Sequence, residues 1–319
     1  MSKNKKTKAK KKGSVLSTVI LVLILLIGVG IMLYPTVSDW WNSFHQSRAI
    51  ASYANVVENT DTETMEAMLE AARDYNRRLL SKPNRYTMNE EEQAEYESLL
   101  DISGTGVMGY VQIDKIGVSL PIYHGTDEAV LQIAIGHIEG TSLPVGGEST
   151  HTVLSGHRGL PSARLFTDLD KMAEGDTFTV TVLNQTCTYE VDQIRIVLPE
   201  EISELDIVSG EDLCTLVTCT PYGVNSHRLL VRGHRIENIE GEVAVVAGAV
   251  RIPNYVTVPA VAIPLLFLFL LGMMIFYRRR RPRIREEEME AYHAIDSGEE
   301  NKTQSDAPLS DAENDKKNE

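Results

Sequence analysis

The sequence predicts a mainly β body, a closed or nearly closed barrel preceded by helices and bracketed by two transmembrane helices. Three observations carry this. Seven strand-like runs, with room for an eighth, crowd the stretch after Gly104-Thr105-Gly106, a spacing that points to a barrel. Two long uncharged apolar runs flank the body, each beside a basic block. Between the first apolar run and the strands lies a segment with helical periodicity.

The elements follow in order. Residues 1–13 form a basic tail with seven Lys and no acid, and residues 14–34 a transmembrane helix around the uncharged run Val15–Leu33. Its length suits the roughly 20 apolar residues that cross a bilayer. It exceeds a signal-peptide core and offers no small-x-small cleavage site, so it reads as an uncleaved anchor. Trp40 and Trp41 suit the interfacial belt just beyond it. Residues 35–105 form a helical and lid-like region. Within it, residues 42–81 read as helix, with Met65, Met68, Leu69, Ala72 and Leu79 on a packing face. Thr60 and Glu63 fit a capping box at its start. Lys82 to Glu97 reads as a loop or short helix.

Residues 106–240 hold the barrel, with strands expected at 108–113, 118–123, 151–156, 177–183, 186–197, 212–218 and 227–232. Asn184-Gln185 sits where a tight hairpin turn belongs. Residues 241–255 read as a linker. Residues 256–277 form a second transmembrane helix; its Pro259 and Pro264 are tolerated in membranes. Residues 278–319 form a basic and then acidic disordered tail. The Lys block before the first run and the six Arg after the second place both termini in the cytoplasm. The barrel then lies outside the cell.

Charge narrows the function. The chain carries 31 Lys+Arg against 45 Asp+Glu, net −14. Residues 35–255 alone hold 33 acids and 15 bases, which excludes nucleic acid as a partner, because phosphate binding needs a basic footprint. The three cysteines, Cys187, Cys214 and Cys219, all fall in the outer segment. An odd count leaves at least one thiol unpaired within the chain.

Cys219 ends a strand, with Pro221 and Gly223 stopping it, so its thiol sits at the barrel rim. Alternation puts it on a face with Thr215 and Val217, opposite Cys214. Cys214 and Cys187 read as small buried hydrophobes, with a disulfide between them left open. A thiol attacks a carbonyl only with an acid/base partner. Of seven outer histidines, His157 is best placed, at a strand end in Ser155-Gly156-His157-Arg158-Gly159, where the glycines leave room for substrate. His151 begins the same strand and belongs at its far end. His124, His137 and His234 read as solvated turn residues. Arg228 opens the strand after Cys219 and returns beside it, as an oxyanion stabiliser must; the alternative is an edge salt bridge. No metal motif appears, and no cofactor is expected.

Thr215-Leu216-Val217-Thr218-Cys219, with Arg228 downstream, resembles the signature of sortases. The stretches Thr218–Arg235, Ser155–Ala163 and Leu120–Thr126 resemble the class C, pilus-assembling branch. The resemblance covers about residues 45–280. It implies an eight-stranded sortase-type barrel, Cys219 as nucleophile, His157 as acid/base and Arg228 as transition-state stabiliser. It further implies an LPxTG-like sorting signal on a pilin, a thioester intermediate, and resolution by a lysine of another pilin. Class C sortases commonly carry a lid with an Asp-Pro-aromatic motif. This chain reads Ser81-Lys82-Pro83-Asn84-Arg85-Tyr86 there, with no Asp-Pro pair, which leaves Tyr86 as the candidate lid aromatic. Two rival functions stand beside pilin polymerisation: anchoring of surface proteins to a cell-wall peptide, and a non-enzymatic acidic surface module that binds a partner.

Overall fold

The computed structural model describes residues 4–238 and the isolated positions 267, 270, 272 and 289. The linker at 241–255, the second apolar run at 256–277 and the tail therefore lie outside the described residues, single positions apart.

The chain opens with one unbroken helix, α1 (Asn4–Glu58), which runs through Pro35. Among the described residues it is the one helix long and apolar enough to cross a membrane, from Ile20 to Glu58. Its second half packs on the barrel. There Ile50 and Tyr53 are buried, and the Tyr53 hydroxyl donates to the Met108 carbonyl at 2.8 Å and accepts from the Leu183 amide at 2.7 Å. The expected helix over 42–81 is thus two helices. The second, α2 (Thr62–Leu79), is capped by Asp61, whose carboxylate accepts from the Thr64 amide. Thr60 does not cap it. Its hydroxyl instead donates back to the Val56 carbonyl and closes α1.

The apolar face of α2 behaves as its periodicity implied: Met65, Leu69, Ala72 and Leu79 are buried, and Met68 packs at their edge. Asn76 lies on the same face and exchanges two hydrogen bonds with the Leu143 backbone, at 2.7 and 3.1 Å. A third helix, α3 (Glu90–Ser98), starts at a reciprocal capping box between Asn89 and Glu92 and buries Tyr96 completely. A single turn, α4 (Glu128–Leu131), follows later in the chain.

Eight strands close into a barrel: β1 (Val107–Ile113), β2 (Val118–His124), β3 (Ile135–His137), β4 (Thr150–Ser155), β5 (Thr177–Val182), β6 (Gln185–Val197), β7 (Asp212–Thr220) and β8 (His227–Ile236). Their order is β1-β2-β3-β4-β7-β8-β6-β5, and β1 closes on β5. The pairs β2–β3 and β4–β7 are parallel and all others antiparallel. The sequence reading finds every strand except β3, whose three residues are too few to show alternation. The β5–β6 turn falls on Leu183 and Asn184, one residue before the expected pair, because Gln185 already pairs with Val182. Leu183 takes φ +50° there, with its amide held by Tyr53.

Most apolar side chains fill the barrel interior and its contact with α2 and α3. A smaller cluster, Val153, Val197, Leu205, Val217 and Leu230, forms separately. By strand alternation it shares the face of Cys219.

Candidate active site

β4 and β7 run parallel in step, from Thr150 opposite Asp212 to Ser155 opposite Val217. The step continues past the strand end. The Gly156 amide donates to the Val217 carbonyl at 3.0 Å, and the Thr218 hydroxyl donates to the Gly156 carbonyl at 2.7 Å. One residue further, His157 comes level with Cys219. On the other side of β7, Cys219 pairs directly with Arg228 of β8. Three adjacent strands therefore bring His157, Cys219 and Arg228 to one rim of the barrel. All three are half-buried. The Arg228 guanidinium donates to the carbonyls of Asn225 and His227 at 3.2 and 3.1 Å, which holds it at the β7–β8 turn. No acidic side chain claims it as an edge salt bridge among the described residues.

The glycines around His157 serve packing instead of substrate room. A Cβ on Gly156 would come within 2.7 Å of Phe166 and 2.8 Å of Ile135, and one on Gly159 within 3.0 Å of the Tyr222 ring. Gly159 also takes φ +78°, a conformation that only glycine adopts without strain. The loop after His157 is anchored to α1 as well: Asn42 donates to the Ser162 carbonyl at 2.8 Å, and Asp39 accepts from the Arg164 amide at 2.8 Å.

The remaining candidates fall elsewhere. His151 lies at the far end of β4, as expected; its Nδ1 donates to the Asp206 carbonyl and its Nε2 accepts from the Thr215 hydroxyl. Of the three histidines read as solvated, none is exposed. His137 is wholly buried, with Nε2 donating to the Ser142 carbonyl at 2.8 Å and Nδ1 accepting from the Tyr96 hydroxyl at 2.9 Å. Burial lowers its pKa to about 4. His124 is half-buried between the carbonyls of Gly106 and Leu99. For these two, turn position misled because α3 and the residue after it cover that end of the barrel; His234 lies within β8, between Glu190 and Leu213, and not at a turn.

All three thiols are free, so the open disulfide between Cys187 and Cys214 does not form. Both of those residues are buried, and desolvation raises their pKa, least hospitable to a thiolate at Cys214. Cys219 is the accessible one.

Tyr86 lies in a strap, residues 81–88, laid against the β6–β7 connection. Arg85 fastens it, donating to the Leu205 carbonyl at 3.2 Å and pairing with Asp206 at 2.8 Å. Its guanidinium also covers the Tyr86 ring at 5.0 Å. No hydrogen bond or ring contact joins Tyr86 to Cys219 among the described residues. The sequence reading missed three features: the Arg85 clasp, the anchoring of the His157 loop on α1, and Arg158. Each is a contact between residues far apart in the chain, and no local pattern marks it.

The sortase domain matches residues 111–236, a span that takes in all three rim residues. Sortase D of Bacillus subtilis (strain 168) is 27% identical over 183 residues, 56% of this chain and 87% of that protein. Among solved structures, sortase C1 from Streptococcus agalactiae is 54% identical with a TM-score of 0.59, covering 60% of this chain and all of that one. Streptococcus pneumoniae sortase C is 44% identical with a TM-score of 0.55, covering 60% and 97%. With that identity over a whole solved domain and the same eight-stranded closed barrel, the chain belongs to the sortase family, in its class C branch, and is a cysteine transpeptidase.

Proposed function

We propose that this protein polymerises pilins at the outer face of the cell membrane, with Cys219 as nucleophile, His157 as acid/base and Arg228 as stabiliser of the oxyanion. The observation that carries the assignment is the convergence of these residues at one rim through two registers, β4 on β7 and β7 on β8. Cys219 Sγ attacks the threonine carbonyl of an LPxTG-like signal, and the Arg228 fork steadies the charge that builds on its oxygen. The Thr–Gly bond breaks as His157 protonates the departing glycine amine, leaving a thioester on Cys219. The amine of a lysine on another pilin then attacks the thioester. An isopeptide bond forms and the thiol is released.

The acceptor follows from the class C likeness, which favours pilin over a cell-wall peptide. The apolar cluster of Val153, Val217 and Leu230 beside the thiol suits the leucine and proline of the signal. The strap at 81–88 is the lid: Arg85 fastens it where relatives of this branch commonly use an Asp-Pro-aromatic motif, and Tyr86 is its aromatic residue. Two transmembrane helices hold the enzyme, 14–34 and 256–277, with both termini in the cytoplasm; the hydropathy of α1 supports the first.

The test incubates the detergent-solubilised full chain with an LPxTG-type peptide and measures intact mass. A peptide adduct, absent in Cys219→Ala, is the expected result. An adduct that survives in Cys219→Ala would sink the assignment. Addition of a pilin lysine or a cell-wall peptide amine then decides the acceptor by which one consumes the adduct.

A further inference from the structure

Arg158 follows His157 in the chain, yet its side chain is only 9% exposed. Its guanidinium reaches from the loop after β4 to the end of β7. Nη1 donates to the Thr220 hydroxyl at 3.2 Å, on the residue next to Cys219. Nη2 pairs with Asp170, which fixes the group from the far side of the same loop. The Tyr222 ring lies over it, with 6.0 Å between guanidinium carbon and ring centroid, and rests on Gly159. Nε is buried and has no partner among the described residues. One charged side chain thus ties the segment carrying His157 to the segment carrying Cys219.

Burying a cation and leaving one of its donors unmet is unfavourable for stability alone. A hydrophobic residue of similar length would fill the space without that cost. What it would not do is fix the two segments in one relative position, since apolar packing is non-directional and a planar fork is not. The hydrogen bonds that Gly156 makes with β7 stop just before His157. Beyond them, the bridge from Arg158 to Thr220 is the polar contact that continues the tie.

We propose that Arg158 is a positioning residue: its bridge between Thr220, Asp170 and the Tyr222 ring sets the placement of His157 against Cys219. This rests on the catalytic reading of those two residues. Reacting groups displaced by about 1 Å lose on the order of 100-fold in rate, so a loosened bridge acts on kcat and leaves peptide binding alone.

The test uses the full chain in detergent with a fluorogenic LPxTG-type peptide. Arg158→Met keeps the length of the stem, Arg158→Lys keeps the charge, and Thr220→Val removes the acceptor from the opposite side. The expected result is a kcat lowered roughly 10- to 100-fold in both Arg158 variants, with KM within about twofold of wild type. Thr220→Val falls in the same sense but less. Near wild-type kcat in Arg158→Lys alone would assign the effect to charge and overturn the proposal. A raised KM with unchanged kcat would make Arg158 a peptide contact and overturn it too. Should Arg158→Met lose its cooperative melting transition, Arg158→Lys and Thr220→Val decide by the same criteria. His157→Ala run in parallel separates the two levels. Full activity in His157→Ala overturns the catalytic reading and this inference with it. Loss there, with wild-type kcat in the Arg158 and Thr220 variants, overturns this inference alone.

Discussion

Cys219 and Arg228 face each other across one antiparallel register pair, so their partnership depends on side-chain chemistry within a fixed backbone frame. Arg228→Lys keeps the charge but replaces a planar fork by a point charge. Its kcat for peptide cleavage should fall about 10²- to 10³-fold, the range seen when an oxyanion donor is removed; near-normal kcat would make Arg228 a structural residue. Histidine burial produces a second residue-scale effect. His137, held neutral at a pKa of about 4, and His151, also lowered by burial, resist protonation when folded. The unfolded chain takes up those protons near pH 6.5. Stability is therefore full above pH 6.5 and declines as pH falls toward 4, with His137 contributing about 3 kcal/mol. Denaturant midpoints across that window should show the decline, and His137→Gln should flatten it. The types of residue at the site were legible: a thiol at a strand end, a histidine among glycines, an arginine opening the next strand. The burial of His137 was not, since it depends on α3 bringing Tyr96 over the end of β3.

Among the elements, α2 shows how one polar residue on an apolar face locks a helix to the β3–β4 connection. Asn76 satisfies both backbone groups of Leu143. Asn76→Ala leaves the buried Leu143 amide without a partner, while the Leu143 carbonyl keeps the Val145 amide and the Thr152 hydroxyl, a loss of about 1–3 kcal/mol. Calorimetry should find Tm lowered by roughly 4–8 °C; an unchanged Tm would mean water replaces the side chain. The strap at 81–88 invites a kinetic test. Arg85→Ala removes its clasp on Leu205 and Asp206, and alkylation of Cys219 by a small reagent should speed up several-fold if the strap is the lid. An unchanged rate in both Arg85→Ala and Tyr86→Ala would retire the lid. Strand content was read well because six to thirteen residues of β-branched and aromatic alternation are a strong signal. The break between α1 and α2 was lost because helical periodicity runs on both sides of it and the cap at Asp61 competes with an equally plausible Thr60.

At the scale of the whole molecule, α1 joins an apolar stretch long enough to cross a membrane to a second half that packs on the barrel through Ile50 and Tyr53. Asp39 and Asn42, just past the apolar stretch, hold the loop that follows His157. Protease added to intact cells should therefore leave a protected N-terminal fragment close to 4 kDa and, if residues 256–277 span the membrane, a protected C-terminal fragment as well. Digestion of the C-terminal tail from outside would refute the two-pass arrangement. Composition and local pattern determined the apolar spans, the acidic body, seven of the eight strands and the identity of the rim residues, because charge, hydropathy period and strand ends are properties of short stretches. Only the tertiary structure decided which strands are neighbours. The parallel pairing of β4 with β7 joins residues more than sixty positions apart, and that pairing sets His157 level with Cys219 and lets Arg158 reach Thr220. Contacts of that kind are fixed by closure of the whole barrel, a condition no short stretch of sequence expresses.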